Sequence, residues 1–91
     1  MQPDDHRLRL KERERGTLAQ QIFSNPLWDE AYTSLINHQM ETMLSARTDA
    51  EAVLECRRQI LALHSVKRAL ETVMQTGRLA EQQIEEAKTD G

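Results

Sequence analysis

Two helix-start signals constrain this chain more than any other feature. They are Asn25-Pro26-Leu27-Trp28-Asp29-Glu30 and Thr48-Asp49-Ala50-Glu51. Asn25 is a good N-cap, and Pro26 at the first helical position loses an N–H that has no partner there anyway. Asp29 and Glu30 fall in the first turn, where carboxylates complement the positive helix end. At the second signal Thr48 caps, and Glu51 three residues later completes a capping box. Each signal precedes a long helical period, and only a short polar gap separates the two runs. The sequence therefore predicts an antiparallel helical hairpin.

The first run carries Leu27, Trp28, Ala31, Tyr32, Leu35, Ile36, Met40, Met43 and Leu44 at steps of three and four, with Glu30, Ser34, Asn37 and Glu41 opposite. The second carries Val53, Cys56, Ile60, Leu63, Val66, Leu70, Val73 and Met74, with Leu54 and Leu61 beside them. A stripe widened in this way implies two contact surfaces, one for the first helix and one for another chain. Gly77 reads as a stop or kink. The division expected is a charged arm with a short helix over 1–24, the hairpin over 25–77, and an acidic tail over 78–91.

The arm alternates Arg7, Arg9, Lys11, Arg13 and Arg15 with Leu8, Leu10, Glu12 and Glu14. These residues favour helix, and Gly16 weakens it. With only Leu8 and Leu10 to bury, residues 4–16 are expected to be mobile alone and ordered in an assembly. The aromatics Phe23, Trp28 and Tyr32 fall within ten positions. Trp28 reads as a core anchor of a cluster with Phe23 and Tyr32, or as an exposed hot spot for a partner.

Burial in a lone hairpin roughly balances the cost of ordering it, because each buried side chain contributes about 1.5–3 kcal/mol and each ordered residue costs about 1–2 kcal/mol. The fold class expected is all-α: a two-helix hairpin with an N-terminal arm, completing a helical bundle by self-association. Partner-binding positions are Trp28, Tyr32, Leu54, Leu61, Val66, Val73, Arg57 and Arg68.

Composition narrows the function. Charged residues are 30% and aromatics 3%, with a net charge of -3. Arg57, Arg58, Lys67 and Arg68 recur on similar flanks, but Glu55 and Glu71 are interleaved and no aromatic accompanies them to stack bases. This weighs against nucleic acid as a partner. Cys56 is the single cysteine, which excludes an intrachain disulfide; it falls on the apolar stripe and reads as a small hydrophobe. Met40, Met43 and Met74 read as core filling. His38, Glu41 and His64 make a metal site conceivable across two helices, but solvated polar residues account for them better. There is no phosphate loop, nucleophile elbow or clustered ligand set. The expectation is no enzyme, no cofactor, no small-molecule substrate and no membrane span. The opening residues lack a signal-peptide pattern, so secretion by a signal peptide is not expected.

The segment Asn25-Pro26-Leu27-Trp28-Asp29-Glu30-Ala31, with the closing Glu71-Thr72-Val73-Met74-Gln75-Thr76-Gly77-Arg78-Leu79-Ala80, resembles small helical proteins encoded by tailed phages and prophages. Their shared opening is Asn-Pro-Leu-aromatic-acid-Ala and their ending resembles Glu-Thr-Gly-Lys-Leu-Ala. Residues 17–80 are covered. The chain departs where Met74-Gln75 intervenes and where Arg78 replaces lysine. The resemblance implies a phage structural or assembly role, which adds another phage structural protein to the chain itself as a partner and gives host cytoplasm or virion as the expected location. The alternative is a small phage-encoded regulator that binds a host protein or DNA.

Overall fold

A computed structural model describes residues 3–45 and 49–90. The described residues form three α-helices and no strand: α1 Pro3–Ser24, α2 Pro26–Ser45 and α3 Ala50–Asp90. Among the described residues no helix is long and apolar enough to cross a membrane.

The break between α1 and α2 is local chemistry. Pro26 has no N–H to give an upstream carbonyl and disfavours helical geometry at Asn25. Asn25 Oδ1 then accepts the Leu27 N–H at 2.9 Å, and the Asn25 carbonyl accepts the Trp28 N–H at 3.0 Å. The cap expected at Asn25 is formed. At α3 the cap is Asp49, whose Oδ1 accepts the N–H groups of Glu51 at 3.1 Å and Ala52 at 3.2 Å. Thr48, the expected cap, lies outside the described residues.

The helices gather into two compact units. One comprises Asn25–Arg68, namely α2 with the first part of α3. Along α2 the half-buried side chains are Trp28, Tyr32, Ile36, Gln39 and Met43, and none is fully buried. On α3, Val53, Ile60, Leu63 and Lys67 are half-buried and Cys56 is buried. Val66, expected on the inward stripe, is exposed, and Lys67 takes the inward position. The reason is spacing: the inward positions keep a strict alternation of three and four from Val53 through Cys56, Ile60 and Leu63, which reaches Lys67 and Leu70, whereas Val66 follows Leu63 one residue too early.

The other unit comprises α1 with α3 from Ala69 onward. Its buried residues are small: Gly16, Ala19, Gly77 and Ala80, with Ile84 the one large side chain. A Cβ on Gly16 would lie 2.7 Å from Gly77 Cα, and one on Gly77 would lie 2.7 Å from Gly16 Cα and 2.9 Å from the Glu12 carbonyl oxygen. The backbones touch because neither residue has a side chain. Gly16, expected to weaken the arm's helix, sits inside an α1 that runs unbroken from Pro3 to Ser24. Two expectations are corrected here. Gly77 does not stop α3, which continues through it. Residues beyond Gly77 are not a tail, since Ala80 and Ile84 are among the most buried side chains of the chain. The charged arm also has a partner within the chain. Arg9, Glu12 and Arg13 are half-buried, and Arg9 Nη1 donates to Glu12 Oε1 at 2.9 Å.

Candidate interaction surface

The polar and aromatic contacts of the Asn25–Arg68 unit centre on Tyr32. The Trp28 and Tyr32 rings stack, with centroids 5.8 Å apart and planes 19° from parallel. Residues four apart on a helix lie one above the other, which brings the rings together. Across the seam, Tyr32 Oη and His64 Nδ1 are hydrogen-bonded at 2.6 Å. Lys67 Nζ sits 4.9 Å from the Tyr32 ring centroid, in cation–π range. This cluster ties α2 to α3. Phe23 is half-buried and falls in the unit of α1.

His64 is therefore engaged with a phenol, and His38 and Glu41 line an open groove on α2 with Asp29, Glu30 and Asn37. No group of three His, Cys, Asp or Glu side chains among the described residues is placed to hold a metal ion. A second open groove, of about 270 Å³, runs between Leu8, Glu12 and Arg15 on α1 and Thr72, Val73 and Thr76 on α3.

The residues expected to bind a partner do not converge on one surface. Trp28 and Tyr32 are half-buried in the seam. Val73 is half-buried in the other unit. Leu54 and Leu61 are exposed, seven apart, and lie roughly 140–160° around α3 from Cys56 at about 100° per residue. Arg57 flanks them. Arg68 is also exposed, though its side chain already has an interaction within the chain. Val66 is on a different flank, roughly 80° to the other side of Cys56.

A more coherent surface was hidden in the first stripe. Leu27, Ala31 and Leu35 recur every fourth residue, and all three are exposed; Leu27 retains 66% of its accessible surface. They form a strip beside the seam rather than in it. On α3, Ala62 and Val66 form a second exposed strip, with Val66 55% exposed. The signal was present in the sequence. Nine apolar positions on α2 are too many for contact with one neighbouring helix, and the surplus marks a second face. Leu44 and Met40 are likewise exposed on α2.

Among the described residues, the Glu55 carboxyl is held below its ordinary value. The Gln59 side chain, donating at 2.9 Å, contributes most, followed by Arg58, whose Nη1 donates at 3.0 Å. The pair is fully exposed, so it organises the α3 surface without contributing a meaningful stabilisation. Comparison of the chain with family models, with characterised proteins and with solved structures returns no match.

Proposed function

We propose that this is a non-enzymatic assembly protein that acts through helix–helix contacts, first of all with itself. One observation carries the reading: the chain leaves far more apolar side chain outside than inside. Among the described residues four apolar residues are buried, three of them Ala or Cys, while twelve large hydrophobic residues are exposed. Scattered exposed leucines are ordinary, but strips at helical spacing mark a contact face.

In this reading α2 and the first part of α3 form an antiparallel hairpin. Tyr32 lies 13 residues before Ser45 (45 − 32) and His64 lies 14 after Ala50 (64 − 50), so their hydrogen bond sets arms within one residue of equal length on either side of the connection. Both strips, Leu27-Ala31-Leu35 and Ala62-Val66, then fall on one side of the pair. Each precedes its own seam in the sense of helix rotation, and in antiparallel helices that offset points the same way. A second hairpin laid on this side completes a four-helix bundle. The test is unfolding at several concentrations: association couples folding to mass action, so the thermal midpoint rises with concentration. A midpoint unchanged over about a hundredfold range of concentration would refute self-association.

The setting we propose, a virion or morphogenesis complex of a tailed phage, is supported by the resemblance of Asn25–Ala31 and Glu71–Ala80 to phage-encoded helical proteins. Flanking genes for capsid, connector or tail components would support it, and a flanking set of unrelated metabolic genes would count against it. The alternative regulator draws on the exposed Arg57 and Arg58; retention on DNA that falls steeply with salt would favour it.

A further inference from the structure

The strips leave the outer sides of the same two helices unexplained, and those sides carry opposite charge. At about 100° per residue, Glu30, Asn37, Glu41 and Leu44 fall within roughly 60° of one another, on the side of α2 away from the Tyr32 seam. All four are exposed, Leu44 by 69%. An open groove of about 600 Å³ runs along this side between Asp29 and Glu41. α2 has neither Lys nor Arg, so no such cation on the helix offsets its carboxylates. On α3, Leu54, Arg57, Leu61 and Arg68 likewise fall within roughly 60°, on the side away from Cys56, and all four are exposed. Glu51 and Glu55 lie roughly 60–100° beyond the edge of this face, and Arg58 pairs with Glu55 at 3.0 Å. The outer face of α2 is acidic and that of α3 is basic.

The spacing of these residues matches the two faces in one orientation. Along α2 the steps from Glu30 to Asn37, Glu41 and Leu44 are seven, four and three. Backwards along α3 the steps from Arg68 to Leu61, Arg57 and Leu54 are also seven, four and three. Antiparallel docking therefore sets Glu30 on Arg68, Asn37 on Leu61, Glu41 on Arg57 and Leu44 on Leu54. Parallel docking from the same end would set Glu30 on Leu54, Glu41 on Ser65 and Leu44 on Arg68, leaving both carboxylates without a cation. Glu30, Glu41 and Arg57 make no ion pair among the described residues. Arg68 already has an interaction within the chain, and its guanidinium has five N–H donors to share. Exposed ion pairs contribute little affinity each, but they fix register and partner. Leu44, Leu54 and Leu61 supply the apolar part of the contact.

We propose that a second copy of the chain docks its α3 face, Leu54 to Arg68, antiparallel on the α2 face, Glu30 to Leu44. This contact goes beyond that of the strips and uses none of their residues. The two outer faces of one copy point away from each other across the seam, so a single chain cannot pair them. The contact is head to tail: repeated, it gives a ring if the rotation closes and an open row if it does not. Within one copy the Tyr32–His64 bond makes level those residues of α2 and α3 whose numbers sum to 96 (32 + 64). The docked pairs sum to 98 (41 + 57), so neighbouring copies lie within about 3 Å of level along the helices.

Charge reversal in the full chain at low ionic strength tests the contact. Sedimentation equilibrium is measured on the parent, Glu41→Arg, Arg57→Glu and the double variant, with circular dichroism as the check on helicity. Each single reversal sets like charges face to face and is expected to lower the association constant about tenfold; the double variant restores opposite charges and is expected to recover the parent value. Single variants that match the parent, or a double variant no better than the singles, would overturn the contact. A single-chain mass for the parent at every concentration would overturn it as well. Ala31→Glu reads the strips separately. Association lowered by Ala31→Glu but by neither reversal would overturn this contact and keep that of the strips; the converse would support this contact and refute the strips. Should a reversal reduce helicity, Glu41→Gln and Arg57→Gln replace it. Each is then expected to weaken association and the two together no more than either alone, whereas additive losses would overturn the pairing.

Discussion

Substituting Gly16 by alanine gives the sharpest test of the packing, because two effects of opposite sign compete there. Gly16 is in the interior of α1, where alanine is favoured over glycine by about 1 kcal/mol from helix propensity alone. A glycine on an open helical face would therefore yield a more stable protein. At Gly16 the added methyl would lie 2.7 Å from Gly77 Cα and 3.4 Å from both Gly77 N and the Val73 carbonyl oxygen. Carbon atoms at optimal contact are about 3.5–4.0 Å apart, so the backbones must separate by roughly 1 Å. The neighbours are backbone and cannot yield by rotating a side chain. That places the overpacking cost near the top of its usual range, about 3 kcal/mol. The net expectation is a loss of about 2 kcal/mol, a fall in thermal midpoint of roughly 8–16 °C for a domain of this size. Denaturation followed by circular dichroism at one fixed protein concentration measures it. Thr17→Ala, at the exposed adjacent position, serves as the control and should stay within about 0.5 kcal/mol. A Gly16→Ala variant more stable than the parent would refute the close crossing.

Other perturbations have equally definite signs. Asn25→Ala and Asp49→Ala each remove a cap and should cost about 1 kcal/mol by denaturant unfolding, whereas no loss at Asp49 would show that another residue caps α3. Tyr32→Phe keeps the Trp28 stack and removes the hydrogen bond to His64; a loss of about 0.5–1.5 kcal/mol is expected, and an unchanged midpoint would show that the bond contributes nothing in solution. Glu55 should titrate below an ordinary glutamate in a carboxyl-resolved NMR titration, and Gln59→Ala should raise it more than Arg58→Ala does. A depressed carboxylate contributes above its unfolded-state pKa, and that contribution is lost as pH falls through the lowered folded-state value. A Glu55 titrating at or above the ordinary value would contradict the Gln59 and Arg58 contacts.

What the sequence disclosed divides along the range of the interactions. The start of α2 was legible because every atom of the cap lies within Asn25–Trp28 and the chemistry of Asn-Pro is local. At the start of α3 Thr48 and Asp49 are both good caps by residue type; geometry identifies the Asp49 carboxylate, which reaches Glu51 and Ala52, and Thr48 lies outside the described residues. Gly16 and Gly77 were misread for a deeper reason. Locally a glycine weakens or ends a helix, but these two residues lie 61 positions apart and gain their value from each other, where bare backbone meets bare backbone. Nothing in either neighbourhood announces the other. The same blindness turned the stretch beyond Gly77 into a tail and left α1 without an intramolecular partner. The interaction surface was half legible: the excess of apolar positions on α2 and α3 was visible, but sorting Leu27, Ala31 and Leu35 from Trp28, Tyr32 and Ile36 required the position of the seam.

The central claim is that the exposed strips are covered by association. Sedimentation equilibrium on the purified full chain at micromolar concentration measures it directly. A mass of at least two chains is expected, shifting toward one on dilution. A single-chain mass across the whole concentration range, with intact helicity and cooperative unfolding, would contradict it.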